Sequence, residues 1–134
     1  MVIDKVFIDG LHRVCSSIEE SRGSLNLFAV LKMDELTDKW TVVISANWVS
    51  NDNFEAIFAE LRALLIENVE DYMESIARLG IFTLDNHLSE IMIHRYSSGD
   101  IIQEDEKING NLVHEGYIIK VLKTEQSSPI LKQQ

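Results

Sequence analysis

The sequence predicts an α+β fold, in which one domain holds an antiparallel or mixed β-sheet with helices packed mainly on one face. Apolar residues recur with a helical period in two long segments and with a period of two in shorter ones. Two consecutive strands near the N-terminus are joined by a short polar connection, which favours antiparallel pairing. The 134 residues suit one domain. We expect it to span residues 1–124, followed by a polar, flexible tail at residues 125–134.

The first predicted helix covers residues 2–21. At 100° per residue, one of its faces is apolar and carries Ile3, Phe7, Leu11, Val14, Cys15 and Ile18. Gly10 interrupts this helix at a cost of about 1 kcal/mol relative to Ala, and Gly23 is suited to end it. We expect Cys15 to be buried on the apolar face and therefore unreactive.

Residues 25–33 and 39–49 alternate in hydrophobicity and predict two paired strands. Trp40 and Trp48 fall on the same face of the second strand. Tryptophan is costly to expose and is a frequent interface anchor. We therefore treat Trp40 and Trp48 as candidate interaction residues, although packing of both in the core is the simpler interpretation.

The strongest helical pattern covers residues 52–78. Asp52 is the candidate N-cap, with Glu55 completing a capping box. Asn68 is placed to begin a second helix, so the segment is either one kinked helix or two. The apolar stripe includes Phe54, Ile57, Phe58, Leu61, Leu64, Leu65, Val69, Tyr72 and Ile76. We expect Leu61 and Leu65 to lie at the centre of the core.

The second half of the chain contains shorter elements. A continuous apolar run at residues 79–84 predicts a buried strand. A short helix follows at residues 87–95, capped by Asp85 or Asn86, although residues 90–96 also fit a strand. Residues 103–107 form a solvated loop or an edge, Asn109–Asn111 a turn, and residues 112–122 the last strand. The pattern does not decide whether the strands at 25–33 and 112–122 are sheet edges.

The charge balance restricts the class of partner. Twelve basic and 22 acidic side chains give a net charge of −10. A field of this sign repels nucleic acids and anionic membranes, and it favours a basic protein partner. No signal peptide or membrane span is recognisable, and the single cysteine excludes an intramolecular disulfide. We therefore expect a cytoplasmic protein.

One group of side chains suggests metal chemistry. If residues 87–95 are helical, His87, Glu90 and His94 lie on one face, and two imidazoles with a carboxylate are ligands for a divalent metal. Seven residues of helix rise by about 10 Å, which is a long span for one ion. The simpler interpretation is a polar stripe that faces water.

No catalytic motif is present, and no cofactor other than such a metal is expected. We therefore expect a non-catalytic protein-binding module of the adaptor or chaperone kind, and possible homodimers. The alternative is a small metal-assisted, hydrolase-like enzyme that uses His87, Glu90 and His94. In size, acidity and order of elements the chain resembles the secretion chaperones of bacteria, which bind effector segments. It shares no sequence motif with them.

Overall fold

A computed structural model describes residues 4–33 and 38–123 of the chain. The predicted tail at residues 125–134 lies outside the described residues. In chain order, the elements are α1 (Lys5–Arg22), β1 (Leu27–Met33), β2 (Trp40–Ser45), α2 (Phe54–Val69), a 3₁₀ helix (Glu70–Ser75), β3 (Ile76–Phe82), α3 (His87–Arg95), β4 (Ile101–Ile102), β5 (Glu106–Ile108) and β6 (Asn111–Val121). Within the described residues no helix is both long enough and apolar enough to span a membrane.

The described strands form one six-stranded mixed sheet, which confirms the predicted fold class. The strand order is β3-β2-β1-β6-β4, and β5 pairs with another part of β6. Pairing is antiparallel except between β2 and β3, which are parallel. The strands predicted at 25–33 and 112–122 correspond to β1 and β6, and both lie inside the sheet.

The core has two parts, one on each face of the sheet. On the first face α1 and α2 pack antiparallel over β1 and β2, with Leu11, Leu61 and Leu65 fully buried. On the second face, Leu88 and Met92 of α3 pack against the side chains of β1 and β6 that point away from α1 and α2. Of the three α-helices in the described residues, two thus share a face, as predicted, while the short α3 covers the other.

Close contacts hold α1 against α2. Arg22 Nε lies 2.6 Å from Glu60 Oε1 at one end of the pair, and Arg13 Nε donates to Asn68 Oδ1 near the other. At Gly10 a Cβ atom would lie 2.8 Å from the backbone oxygen of Asn68. The glycine that weakens the helical pattern therefore lies at a close approach of the two helices, where a larger residue does not fit.

The predicted capping box at the start of α2 is wrong. The N-cap is Asn53 rather than Asp52, and it makes no side-chain capping bond. Asn53 Oδ1 instead accepts from the backbone N–H of Ser50, and its Nδ2 donates to Trp48 O. Asn68 caps no second helix, since its side chain bonds to Leu64 O, but the predicted break lies next to it, where α2 gives way to the 3₁₀ helix.

Two other local predictions are confirmed. Asn109 and Gly110 both have positive φ and form the two-residue turn of the β5–β6 hairpin, in which Ile108 pairs with Asn111. Residues 87–95 are helical, with Leu88 N donating to Asn86 Oδ1 at the start. For residues 103–107 both alternatives hold in part: residues 103–105 lie between strands, and β5 begins at Glu106 and pairs along the edge of β6.

Cys15 is buried against the sheet, and the burial, together with the nearby Glu19 carboxylate, raises the pKa of its thiol to about 11. Because only the thiolate is nucleophilic, we expect iodoacetamide to label the native chain at pH 8 far more slowly than the chain in denaturant. Because the thiol of the unfolded chain ionises at a lower pH than the native thiol, the fold keeps its full stability below about pH 9 and loses part of it as the pH rises towards 11. Equal labelling rates in the two states would contradict a buried thiol.

Candidate interaction surface

Helix α3 brings the predicted metal ligands only partly together. His87 Nδ1 lies 4.0 Å from Glu90 Oε1, and both side chains are exposed. Glu90 and His94 line an open depression of about 400 Å³ with Ile91 and Arg95. Across residues 4–33 and 38–123, no three His, Cys, Asp or Glu side chains lie close enough to hold a metal ion. The arrangement is a polar, solvent-facing stripe on α3.

The two tryptophans lie in different environments. Trp40 is 6% exposed and packs in the core under α1, with its ring centroid 6.0 Å from that of Phe7. Strand β2 ends at Ser45, so Trp48 belongs to the loop before α2. It is half-buried, and its Nε1 donates to Ser24 O at 3.1 Å, which ties that loop to the connection between α1 and β1. Trp40 and Trp48 therefore form no common surface.

The side chains of α2 that face away from the core include two neighbouring aromatics. Phe54 is 41% exposed and Phe58 38%, with their ring centroids 6.5 Å apart. Both belong to the apolar stripe that the sequence predicts as buried, but within α2 the structure buries only Ile57, Leu61, Leu65 and Val69 of that stripe. They form a small apolar patch at the N-terminal end of α2.

Among the strands of residues 4–33 and 38–123, β3 forms the longest edge of the sheet. The sequence predicts a buried strand at 79–84, whereas β3 covers Ile76–Phe82 and only Ile81 is buried. Its neighbour β2 is buried at all six positions. In the part of the chain that the structure describes, β2 is the only strand that pairs with β3. An edge strand presents backbone N–H and C=O groups that another extended chain can pair with.

The opposite side of the sheet is protected differently. There β6 is covered by the two short strands β4, of two residues, and β5, of three. Very short edge strands are one of the devices by which proteins avoid edge-to-edge association. The seven-residue β3 is longer than either of these strands and contains no proline and no lysine; its only such features are one charged residue, Arg78, and a register irregularity at Ala77.

Both ends of β3 are held in place by the surrounding structure. At the N-terminal end, Tyr72 of the 3₁₀ helix stacks on Phe7 and donates to Asp4 Oδ2 at 2.7 Å. This hydrogen bond lowers the pKa of Asp4 and raises the pKa of Tyr72. At the C-terminal end, the buried hydroxyl of Ser45 donates to Phe82 O at 2.9 Å. The edge is therefore pre-organised as a strand.

The register places a bulge near the start of β3. Trp40 pairs with Ile76 and Thr41 with Arg78, so Ala77 has no partner residue in β2. Further along, Val43 pairs with Gly80, and a Cβ at Gly80 would lie 2.9 Å from the ring of Phe82. The half-exposed side chains of Ile76, Leu79 and Phe82 leave apolar surface beside the edge.

Acidic side chains flank this edge. Glu70, Asp71 and Glu74 are exposed in the 3₁₀ helix just before β3, and Asp85 is exposed just after it. Two basic side chains lie nearby: Arg78 within the strand, and Lys39, whose Nζ donates to Glu74 O. Carboxylates thus outnumber basic groups, and they lie beyond the two ends of the strand.

Sequence reasoning missed this surface. A continuous apolar run is typical of a strand covered on both faces, but it does not show whether a second strand pairs along each edge. The signals that could have identified it are the charged residue Arg78 just before the run, Gly80 within it, and the acidic residues on both sides. Comparison of the chain with protein-family models, curated proteins and solved structures gave no match in any of the three.

Proposed function

We propose that this chain is a non-catalytic protein-binding module, of the adaptor or chaperone kind, which binds an extended segment of its partner along β3. The observation that carries the proposal is the long, apolar and pre-organised edge of β3, with nothing in residues 4–33 and 38–123 paired to its outer side. In strand addition, main-chain hydrogen bonds supply affinity and alternate side chains supply specificity.

The surroundings of β3 suit such a ligand. Alternate side chains of an added strand would lie beside Leu79 on one face of the sheet and beside Phe82 on the other, and both are half-buried. Because Tyr72 and Ser45 already fix the ends of β3, binding would not require the edge to be ordered first. Pre-organisation of this kind lowers the entropic cost of association.

The metal-assisted enzyme receives no comparable support. It requires His87 and His94 to converge on one ion with Glu90, and α3 is a regular helix over these residues. The rise between the two histidines is about 10 Å. We therefore put forward the binding module alone.

A random peptide library, selected on the full chain, tests the proposal. We expect selected peptides to have alternating apolar residues and to shift the amide NMR signals of β3. Ala77→Pro removes the backbone N–H of a residue that has no partner in β2, at a bulge where proline is tolerated, and should weaken their binding about tenfold. Ala77→Ser, which keeps the N–H, should bind as the natural chain does.

Two results would overturn the proposal. One is a selection that yields no binding peptide. The other is a set of peptides whose amide shifts lie on α3 or at the start of α2 and spare β3. The amide shifts are measured on the unaltered chain, so they locate the bound peptide even if Ala77→Pro lowers the melting temperature.

A further inference from the structure

We infer that the segment bound at β3 has an apolar, extended centre with basic residues on both sides. This inference rests on the proposed function and specifies its ligand. Glu70, Asp71 and Glu74 lie before β3, and Asp85 lies after it, so both ends of the edge carry exposed carboxylates. A strand of similar length with Lys or Arg at its two ends would place positive charge opposite each group.

Basic flanks match the edge whichever way the added strand runs. An antiparallel segment would bring its C-terminal flank to Glu74 and its N-terminal flank to Asp85, and a parallel segment would do the reverse. Since both ends of the edge are acidic, basic residues on both flanks match either direction. Charges at the rim of an interface mainly accelerate association and set specificity.

The same charges argue against a second copy of this chain as the occupant. Pairing of two β3 strands about a twofold axis would bring the Glu74 end of one copy close to the Asp85 end of the other, at both junctions. Each copy also carries a net charge of −10. The resulting repulsion would be relieved by salt, whereas attraction to a basic segment would be weakened by salt. The two occupants therefore respond to ionic strength in opposite directions.

Three synthetic peptides test the inference. They share a centre of alternating Val and Thr and carry paired Lys, Gln or Glu residues on both flanks. An exposed ion pair contributes up to about fivefold in affinity. We expect the Lys-flanked peptide to bind the full chain about tenfold more tightly than the Gln-flanked one at low salt. The Glu-flanked peptide should bind most weakly, and the differences should shrink at high salt.

Matched variants locate the effect. Combined Glu74→Gln and Asp85→Asn should reduce the preference for Lys flanks several-fold. The control is Glu104→Gln with Asp105→Asn, which removes the same charge between β4 and β5, at the opposite edge of the sheet. It should leave the preference nearly unchanged. If both double variants lose the preference for Lys flanks equally, the overall negative charge of the chain causes it. That result would contradict a role for the carboxylates beside β3.

The outcomes separate this inference from the proposed function. If all three peptides bind at β3 with equal affinity, the binding module stands and the basic flanks are wrong. If none binds, and random-library selection also fails, the proposed function is wrong as well. Sedimentation of the chain alone, showing a dimer that strengthens with salt and is lost in Ala77→Pro, would make a second copy the occupant.

Discussion

Replacing Leu61 by Ala is expected to destabilise the fold by about 3–4 kcal/mol, and Leu65→Ala by a similar amount. Both side chains are fully buried on α2, on the face of the sheet that α1 and α2 cover together. Removal of their methyl groups loses burial and leaves a cavity, because α1 and the sheet that surround the site relax only partially into it. A domain of this size is stable by about 5–15 kcal/mol in total, so either change removes a large share.

Urea denaturation followed by tryptophan fluorescence measures this loss. The matched control is Ile66→Ala on the same helix, whose side chain is 38% exposed and should cost less than about 1 kcal/mol. Losses below 1 kcal/mol at both Leu61 and Leu65 would show that α2 is peripheral to the core. A change in the slope of the unfolding free energy against urea concentration would instead indicate an altered denatured state.

The second large effect is expected at Gly10. In an unconstrained helix Gly→Ala stabilises by about 1 kcal/mol, but here we expect a loss of about 2 kcal/mol from overpacking. The added Cβ would lie 2.4 Å from Val69 Cγ1 and 2.8 Å from the backbone oxygen of Asn68. The Val69 side chain can turn away, whereas the helical backbone at Asn68 cannot move without disturbing the bond from Arg13 to its side chain.

Two variants separate steric overlap from helix propensity. Ser16→Ala, at an exposed position of α1, should be neutral or slightly stabilising. In a double-mutant cycle, Gly10→Ala should cost less in the Val69→Ala background than in the natural chain, but it should still destabilise, because the backbone contact remains. If Gly10→Ala raises the melting temperature, α1 and α2 do not approach as closely as the structure describes.

Much of the fold follows from local sequence patterns. The apolar face of α1, the alternation in β1 and the Asn109–Gly110 turn each have one strongly favoured structure. The end of β2 at Ser45 was missed, because Ala46–Trp48 continues the alternation while a turn bond from Val49 N to Ala46 O bends the chain. Local patterns describe each segment, but they contain little information on which segments pair.

The candidate site depends on that pairing, and for this reason the sequence alone did not identify it. The parallel placement of β3 beside β2, and its position at the end of the strand order, arise from long-range packing of α2 over the sheet. The predicted interaction residue Trp40 lies in the core for the same reason, since β2 is covered on both faces. The acidic residues before and after β3 were visible in the sequence, but their relation to an open edge was not.

Amide hydrogen exchange along β3 tests the open edge most directly. In the chain alone, we expect slow exchange throughout β1 and β2, which have a strand on each side. In β3 we expect alternation from Leu79 to Phe82, because successive N–H groups point to opposite sides of a strand. The Lys-flanked peptide should slow exchange of the rapidly exchanging set only. Uniform protection of β3 without peptide, or no change on its addition, would contradict an edge that accepts a partner strand.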